Sequence, residues 1–179
     1  MRTLEIVPYD PRWPARFEAE AERIRGALGR FALRIDHNGS TSVPGLAAKP
    51  VIDIQISVAD LAPIDRYRAP LEGIGYVHVP NADDAFCPYF HRPRHWPHSH
   101  HVHVVRAGDA EERRTLAFRD YLRAHADAAH EYAVLKTRLA AQCNADNSAS
   151  REAYANAKGE FIERIIAAAL TGIRANCDG

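Results

Sequence analysis

The sequence predicts one α+β domain over residues 1–179, with short β-strands first and a helical C-terminal third. Three observations carry that expectation. Residues 51–58, Val-Ile-Asp-Ile-Gln-Ile-Ser-Val, alternate strictly. Ile52, Ile54, Ile56 and Val58 therefore share one face of a strand, and Val51, Asp53, Gln55 and Ser57 share the other. Residues 101–105, His-Val-His-Val-Val, alternate in the same way. From Asp109 onward apolar residues recur at spacings of three and four, the period of helices packed by one face.

Composition narrows the class. Hydrophobic residues make up 46% and charged residues 26%, ordinary values for a soluble globular protein with one core. Lys plus Arg equals Asp plus Glu at 23 each, so no global field draws nucleic acid or an anionic membrane. Cys87, Cys143 and Cys177 are scattered, odd in number and never spaced Cys-x-x-Cys, which argues for a reducing compartment and against a zinc ribbon or disulfide framework. The opening Met-Arg-Thr-Leu-Glu-Ile-Val holds no apolar run of signal-peptide or membrane-span length, so a cytoplasmic location is expected.

The elements follow in order. Residues 4–7 suit a short edge strand. Asp10 and Pro11 suit an N-cap and first helical position, opening a helix over 11–30 that buries Trp13, Phe17, Ala21, Ile24 and Leu28. Residues 32–38 read as a strand. Residues 60–73 read as a helix cut short by Pro63 and Pro70. Strands are expected over 76–79 and 86–91, then a proline-interrupted loop that, with the strand after it, holds His91, His95, His98, His100, His101 and His103. Leu116, Phe118, Tyr121 and Leu122 mark one helix, and Tyr132, Leu135 and Leu139 mark a second over 126–142. A turn over 144–150, with Ser148 or Ser150 as N-cap, leads to a last helix over 151–171. That helix carries Lys158 on the same broad face as Tyr154, Phe161, Ile162, Ile165 and Ala169, so the lysine must either snorkel or reach a partner.

The chemistry concentrates in residues 37–58. Gly39, Ser40, Thr41 and Ser42 form a small-residue loop, and Pro44-Gly45 suits a type II turn. Lys49 stands four residues before Asp53. Exposed amides, hydroxyls and a lysine suit an anion such as phosphate, and a strand-borne Asp beside them suits a metal ion. His101 and His103 lie on one strand face at i and i+2, a spacing that can reach one metal ion and equally suits a hydrogen-bonded polar face. His37 is expected to be structural.

The run from Gly39 to Ile54, Gly-Ser-Thr-Ser-Val-Pro-Gly-Leu-Ala-Ala-Lys-Pro-Val-Ile-Asp-Ile, resembles the signature of the GrpB family, itself similar in fold to the nucleotidyltransferase superfamily. The resemblance extends through Val7-Pro8-Tyr9-Asp10-Pro11-Arg12-Trp13-Pro14, the strand from His100 to Val105, and Tyr154, Lys158, Phe161 and Ile162 near the end. It implies a nucleotidyltransferase-like mixed β-sheet flanked by helices. It also implies a Gly-Ser loop followed by Asp-x-Asp/Glu, with a third carboxylate on a neighbouring strand. Three such carboxylates hold a divalent metal that neutralises nucleotide phosphates and helps activate the attacking hydroxyl. Gly39 and Ser40 match that loop and Asp53 the first carboxylate. Gln55 stands at the second position, and His101 and His103 stand on the strand of the third. One Asp with two His is a poor magnesium set and better suits zinc or manganese.

Two functional expectations result. In the first, the protein is a transferase or metal-assisted phosphoesterase, with Asp53, His101 and His103 as metal ligands or acid and base. Gly39, Ser40, Thr41, Ser42, Lys49, Gln55 and Lys158 would then hold a nucleotide or other phosphorylated small molecule. In the second, the fold binds such a ligand without catalysis, as the loss of the second carboxylate would allow.

Overall fold

The computed structural model describes residues 5–143 and 147–177. Its strands are β1 (Arg34–Asn38), β2 (Ile52–Val58), β3 (Val77–His78), β4 (Tyr89–Arg92) and β5 (His100–Arg106). They form a single sheet in the order β1-β2-β5-β4-β3. β2 and β5 run parallel and the other neighbours antiparallel, which makes the sheet mixed.

The alternation of β2 divides the molecule. Its isoleucines, with Phe90, Val102 and Val104, face α1 (Trp13–Leu28) and α2 (Asp65–Gly73) and pack on Trp13, Phe17, Ala21, Ile24, Tyr67 and Leu71. Ile52, Ile54, Ile56, Val102 and Val104 are wholly excluded from solvent. Each such side chain contributes about 1.5–3 kcal/mol by leaving water. The opposite face of β2 carries Asp53, Gln55 and Ser57. Over it lie α3 (Ala110–Ala124), α4 (Ala126–Gln142), α5 (Ser148–Asn156) and α6 (Gly159–Cys177). α3, α4 and α6 share a second core with the loop after β1, built on Val43, Leu46, Leu122, Tyr132, Phe161 and Ile165, and Tyr154 of α5 packs on Leu139 and Ala140 of α4. Ser57 donates to Glu112 and Thr115 meets Gln55, so α3 is fastened to the sheet by polar contacts. A polar sheet face beneath an apolar helical layer leaves room for a cleft.

Several local expectations shift. α1 begins at Trp13 with Pro14 in its first turn, because Asp10 spends its carboxylate on the Arg12 backbone N–H (2.9 Å) and guanidinium. α2 begins only at Asp65, two residues beyond Pro63, and tolerates Pro70 within it. The last expected helix is two helices. α5 ends at Asn156 and α6 starts at Gly159, a residue that costs a helix interior about 1 kcal/mol relative to Ala. Lys158 sits in the break rather than on a continuous helical face. Asn147 caps α5 by accepting from the Ser150 N–H at 2.8 Å, the role expected of a serine. Leu4 and residues 144–146 lie outside the described residues, and Val7 makes a single antiparallel bridge to Ala48. Among the described residues no helix is long and apolar enough to cross a membrane.

On the helix-covered apolar face, Glu20 of α1 is buried. Its carboxylate accepts from Tyr76 (2.9 Å), Arg23 (2.8 Å) and Arg92 (2.8 Å), joining α1 to β4 through charge as well as packing.

Candidate functional site

The polar face of the sheet builds the site. Asp53 is the register partner of His101 and Gln55 that of His103 across the parallel β2–β5 pair, so the four side chains stand as adjacent rows. Gly39 leaves β1 with φ +64° and lies directly against Asp53. A Cβ at Gly39 would meet both Cβ and Cγ of Asp53 at 2.8 Å, so only glycine allows this approach.

The loop after Gly39 is held rigidly. Residues 40–42 make one tight helical turn, in which the Ser42 hydroxyl donates to the Gly39 carbonyl at 2.6 Å. Thr41 donates to the Val51 carbonyl at 3.3 Å, and its hydroxyl lies 3.0 Å from His37 Nε2. From α3, Arg123 forks onto the Ser42 carbonyl (3.0 and 2.9 Å) and Arg119 donates to the His37 carbonyl (3.2 Å). His37 is buried in this hydrogen-bonded loop and stacks on Phe17.

Asp53 pairs with His101, whose Nδ1 lies 3.3 Å from Oδ1. The other ring nitrogen of His101 lies 3.2 Å from Nδ1 of His98, which stacks on His91 at 3.8 Å. Burial acts to raise the Asp53 pKa. The His101 hydrogen bond, the two imidazoles and Lys49 outweigh it and hold the carboxyl below its ordinary range. Burial pushes His98 and His103 down to about 4, leaving both rings neutral at neutral pH. Cys87 Sγ lies 3.8 Å from His103 Nδ1, but burial first, then Glu111 and Asp83, raise its thiol to about 12, so it is not a thiolate nucleophile.

Between the sheet and α3, α4 and α6 lies a cleft of about 310 Å³, lined by Gly39, Ser40, Asp53, Gln55, His103, Lys158 and, from α3, Glu111, Arg114 and Thr115. Gln55 is fully buried in its floor. Its Oε1 accepts from Asn38 (3.3 Å) and Thr115, while its Nε2 meets no hydrogen-bond partner among the described residues. A buried donor left unpaired costs about 1–3 kcal/mol, so the fold carries this one at a loss.

Three ammonium groups gather behind the cleft. Lys158 Nζ lies 4.5 Å from the centre of the Tyr154 ring and Lys49 Nζ 5.1 Å from the same ring. Lys136, only 2% exposed, donates to the Ala47 carbonyl and lies 4.7 Å from the Tyr132 ring. Burial, then the neighbouring lysine charges, lower Lys136 to about 7 and Lys158 to about 8, with Asp53 opposing both. Burial also lowers Lys49.

Of the residues expected in the site, the structure brings Gly39, Ser40, Asp53, Gln55, His103 and Lys158 to one cleft. Thr41 and Ser42 do not face it; both are buried in the loop's own hydrogen bonds. Lys49 lines a small neighbouring cavity of about 50 Å³ with Trp96 and His98. The trio Asp53, His101 and His103 does not converge as a metal-binding set. His101 is engaged on both sides by Asp53 and His98, and His103 sits beside Cys87. Among the described residues no group of three or more His, Cys, Asp or Glu side chains is placed to hold a metal ion. These donors do not fit the expected centre.

Lys136, Thr115 and Glu111 were not singled out by the sequence, and His98 was named only as a member of the histidine-rich segment. Lys136 had a signal: it falls between Tyr132 and Leu139 on the buried stripe of α4, the same pattern that marked Lys158.

The GrpB protein family matches residues 3–168. A UPF0157 protein of Pseudomonas aeruginosa is 44% identical over 174 residues, which cover 96% of this chain and 69% of that protein. The crystal structure of the conserved protein GrpB from Enterococcus faecalis superposes with a TM-score of 0.83 at 34% identity, over 94% of this chain and 99% of that one. The poly(U) polymerase Cid1, solved with Mg 3′-dATP bound, aligns with a TM-score of 0.51 at 14% identity over 77% of this chain and 44% of its own. That distant likeness shows the fold alone, which is nucleotidyltransferase-like. With loop, strand and histidine segment all inside the matched region, this chain belongs to the GrpB family.

Proposed function

We propose that the cleft binds a nucleotide or another phosphorylated small molecule, and that Asp53 is the group positioned to take a proton from a hydroxyl brought against it. The observation that carries the reading is the meeting of Lys158, the Ser40 hydroxyl and the unpaired Gln55 amide around Asp53 in one cleft. Ammonium, hydroxyl and amide N–H groups are donors that suit phosphate oxygens. The described residues do not form the expected metal set, so the proton transfer falls to the protein's own groups. In the transferase form of the reading, Asp53 accepts the proton and His101, fixed between Asp53 and His98, orients the carboxylate. A second reading is a binding module without catalysis, favoured by the neutral amide of Gln55 beside Asp53 where a second carboxylate would assist transfer.

Thermal-shift screening of nucleoside triphosphates, each alone and with magnesium, manganese or zinc, tests binding. Stabilisation of the wild type that is weakened in Lys158→Met supports the reading. Loss of one charge-assisted contact is expected to lower affinity by about tenfold, 1.4 kcal/mol. Affinity should also decline as pH rises through about 8, where Lys158 gives up its proton and with it the attraction for an anion. A flat pH profile together with an unaffected Lys158→Met removes this lysine from the site.

A further inference from the structure

We propose that the cleft takes the phosphates of its ligand as the free, metal-free anion, with Gln55 Nε2 and Lys158 Nζ as direct donors to phosphate oxygens. The inference rests on the phospholigand reading above and adds to it the form in which the ligand is bound.

Gln55 is the first reason. It is fully buried, lines the cleft, and its Oε1 accepts from Asn38 and Thr115. Its Nε2 has no partner among the described residues. An N–H donor is useless to a cation and repels one; it is satisfied by an acceptor, and phosphate oxygens are strong acceptors. A magnesium–phosphate complex would bring its hydrated dication toward the same surface.

The surrounding charges are the second reason. Magnesium is commonly held by one or two carboxylates together with the substrate's phosphates. Here Asp53 already faces the His101 ring at 3.3 Å, and Lys49, Lys136 and Lys158 all lie close enough to feel its charge. The other carboxylate of the cleft, Glu111, lies 3.5 Å from Arg114, which also binds Glu163. Asp53 is thus already engaged by a ring nitrogen with lysine charges nearby, and Glu111 is paired with Arg114, so a dication would compete with cationic groups of the protein for both carboxylates. At short range in a partly desolvated cleft the repulsion between those groups and the dication is screened less than in water and disfavours the magnesium-bound form of the ligand.

Calorimetric titration of the wild type with ATP and with tripolyphosphate, in EDTA and in saturating magnesium, measures the preference without relying on any variant. The expected result is that both probes bind in EDTA and that magnesium raises the dissociation constants by about tenfold, because complexation masks the charge the lysines read. Binding only with magnesium, or tighter binding with it, overturns the metal-free inference while the phospholigand reading stands. Binding in neither medium overturns both. Gln55→Leu, checked for folding by its melting curve, is expected to lose affinity in EDTA and to narrow the gap between the two media. An unchanged gap in a folded Gln55→Leu contradicts the assigned donor.

Discussion

Replacing Glu20 with Ala is expected to lower stability by about 3–5 kcal/mol, the usual result of removing one partner from a buried charge cluster. Glu20 is 4% exposed and accepts from Tyr76, Arg23 and Arg92 at 2.8–2.9 Å. Without it the Tyr76 hydroxyl loses its acceptor, and Arg92, whose Nε already lacks a partner, keeps an uncompensated charge beside β4. Equilibrium denaturation measures the loss. Glu22→Ala is the comparison, since its ion pair with Arg25 at 3.3 Å is exposed and should be worth less than about 1 kcal/mol. Because the Glu20 cluster lies on the α1 side of the sheet, a folded Glu20→Ala protein should keep its ligand affinity. Equal losses for the two variants would show that the cluster is not a stabilising element.

Gly39→Ala is expected to damage both stability and the site. The Gly39 φ of 64° with ψ of −170° lies in a region almost reserved for glycine and costs another residue about 1–3 kcal/mol. The new methyl would also stand 2.8 Å from Asp53 Cβ and Cγ, so either the loop or the carboxylate must shift. A displacement of about 1 Å at a positioned group can cost a hundredfold in function, so ligand affinity should fall far more than stability. Gly45→Ala separates the two effects. Gly45 has φ +78° but nothing within 4 Å of an added Cβ, so that variant should lose stability and keep its affinity. If Gly39→Ala binds ligand as the wild type does, Asp53 is not part of the binding surface.

The sequence made the sheet legible because its two central strands have faces of opposite character. Alternation in β2 and β5 gave each strand an apolar and a polar face, while the placing of the two strands side by side came from the family resemblance, and the register pairs Asp53 with His101 and Gln55 with His103. The loop was legible as a run of small residues followed by Pro44-Gly45, but nothing in that run showed that Gly39 would lie against Asp53. What a linear pattern could not show was the direction of each hydroxyl. Ser40, Thr41 and Ser42 look equivalent as letters, yet the tight turn sends only Ser40 toward the cleft and consumes the other two internally. Nor could it show that His101 would be shared between Asp53 and His98, because His98 comes from a loop whose path depends on packing against β4 and Trp96. The break at Lys158 was missed because the apolar period runs smoothly across it and only Gly159 marks the interruption.

The central claim, that phosphates bind at the polar face of the sheet, is tested most directly by mapping amide chemical shifts in the isotope-labelled protein during titration with ATP in EDTA. The account predicts the largest changes at Gly39, Ser40, Asp53 and Gln55, together with the Gln55 side-chain amide as it gains an acceptor. Changes centred instead on the separate groove lined by Tyr9, His37, Arg119 and Arg123, with the Gln55 side chain unmoved, would contradict it.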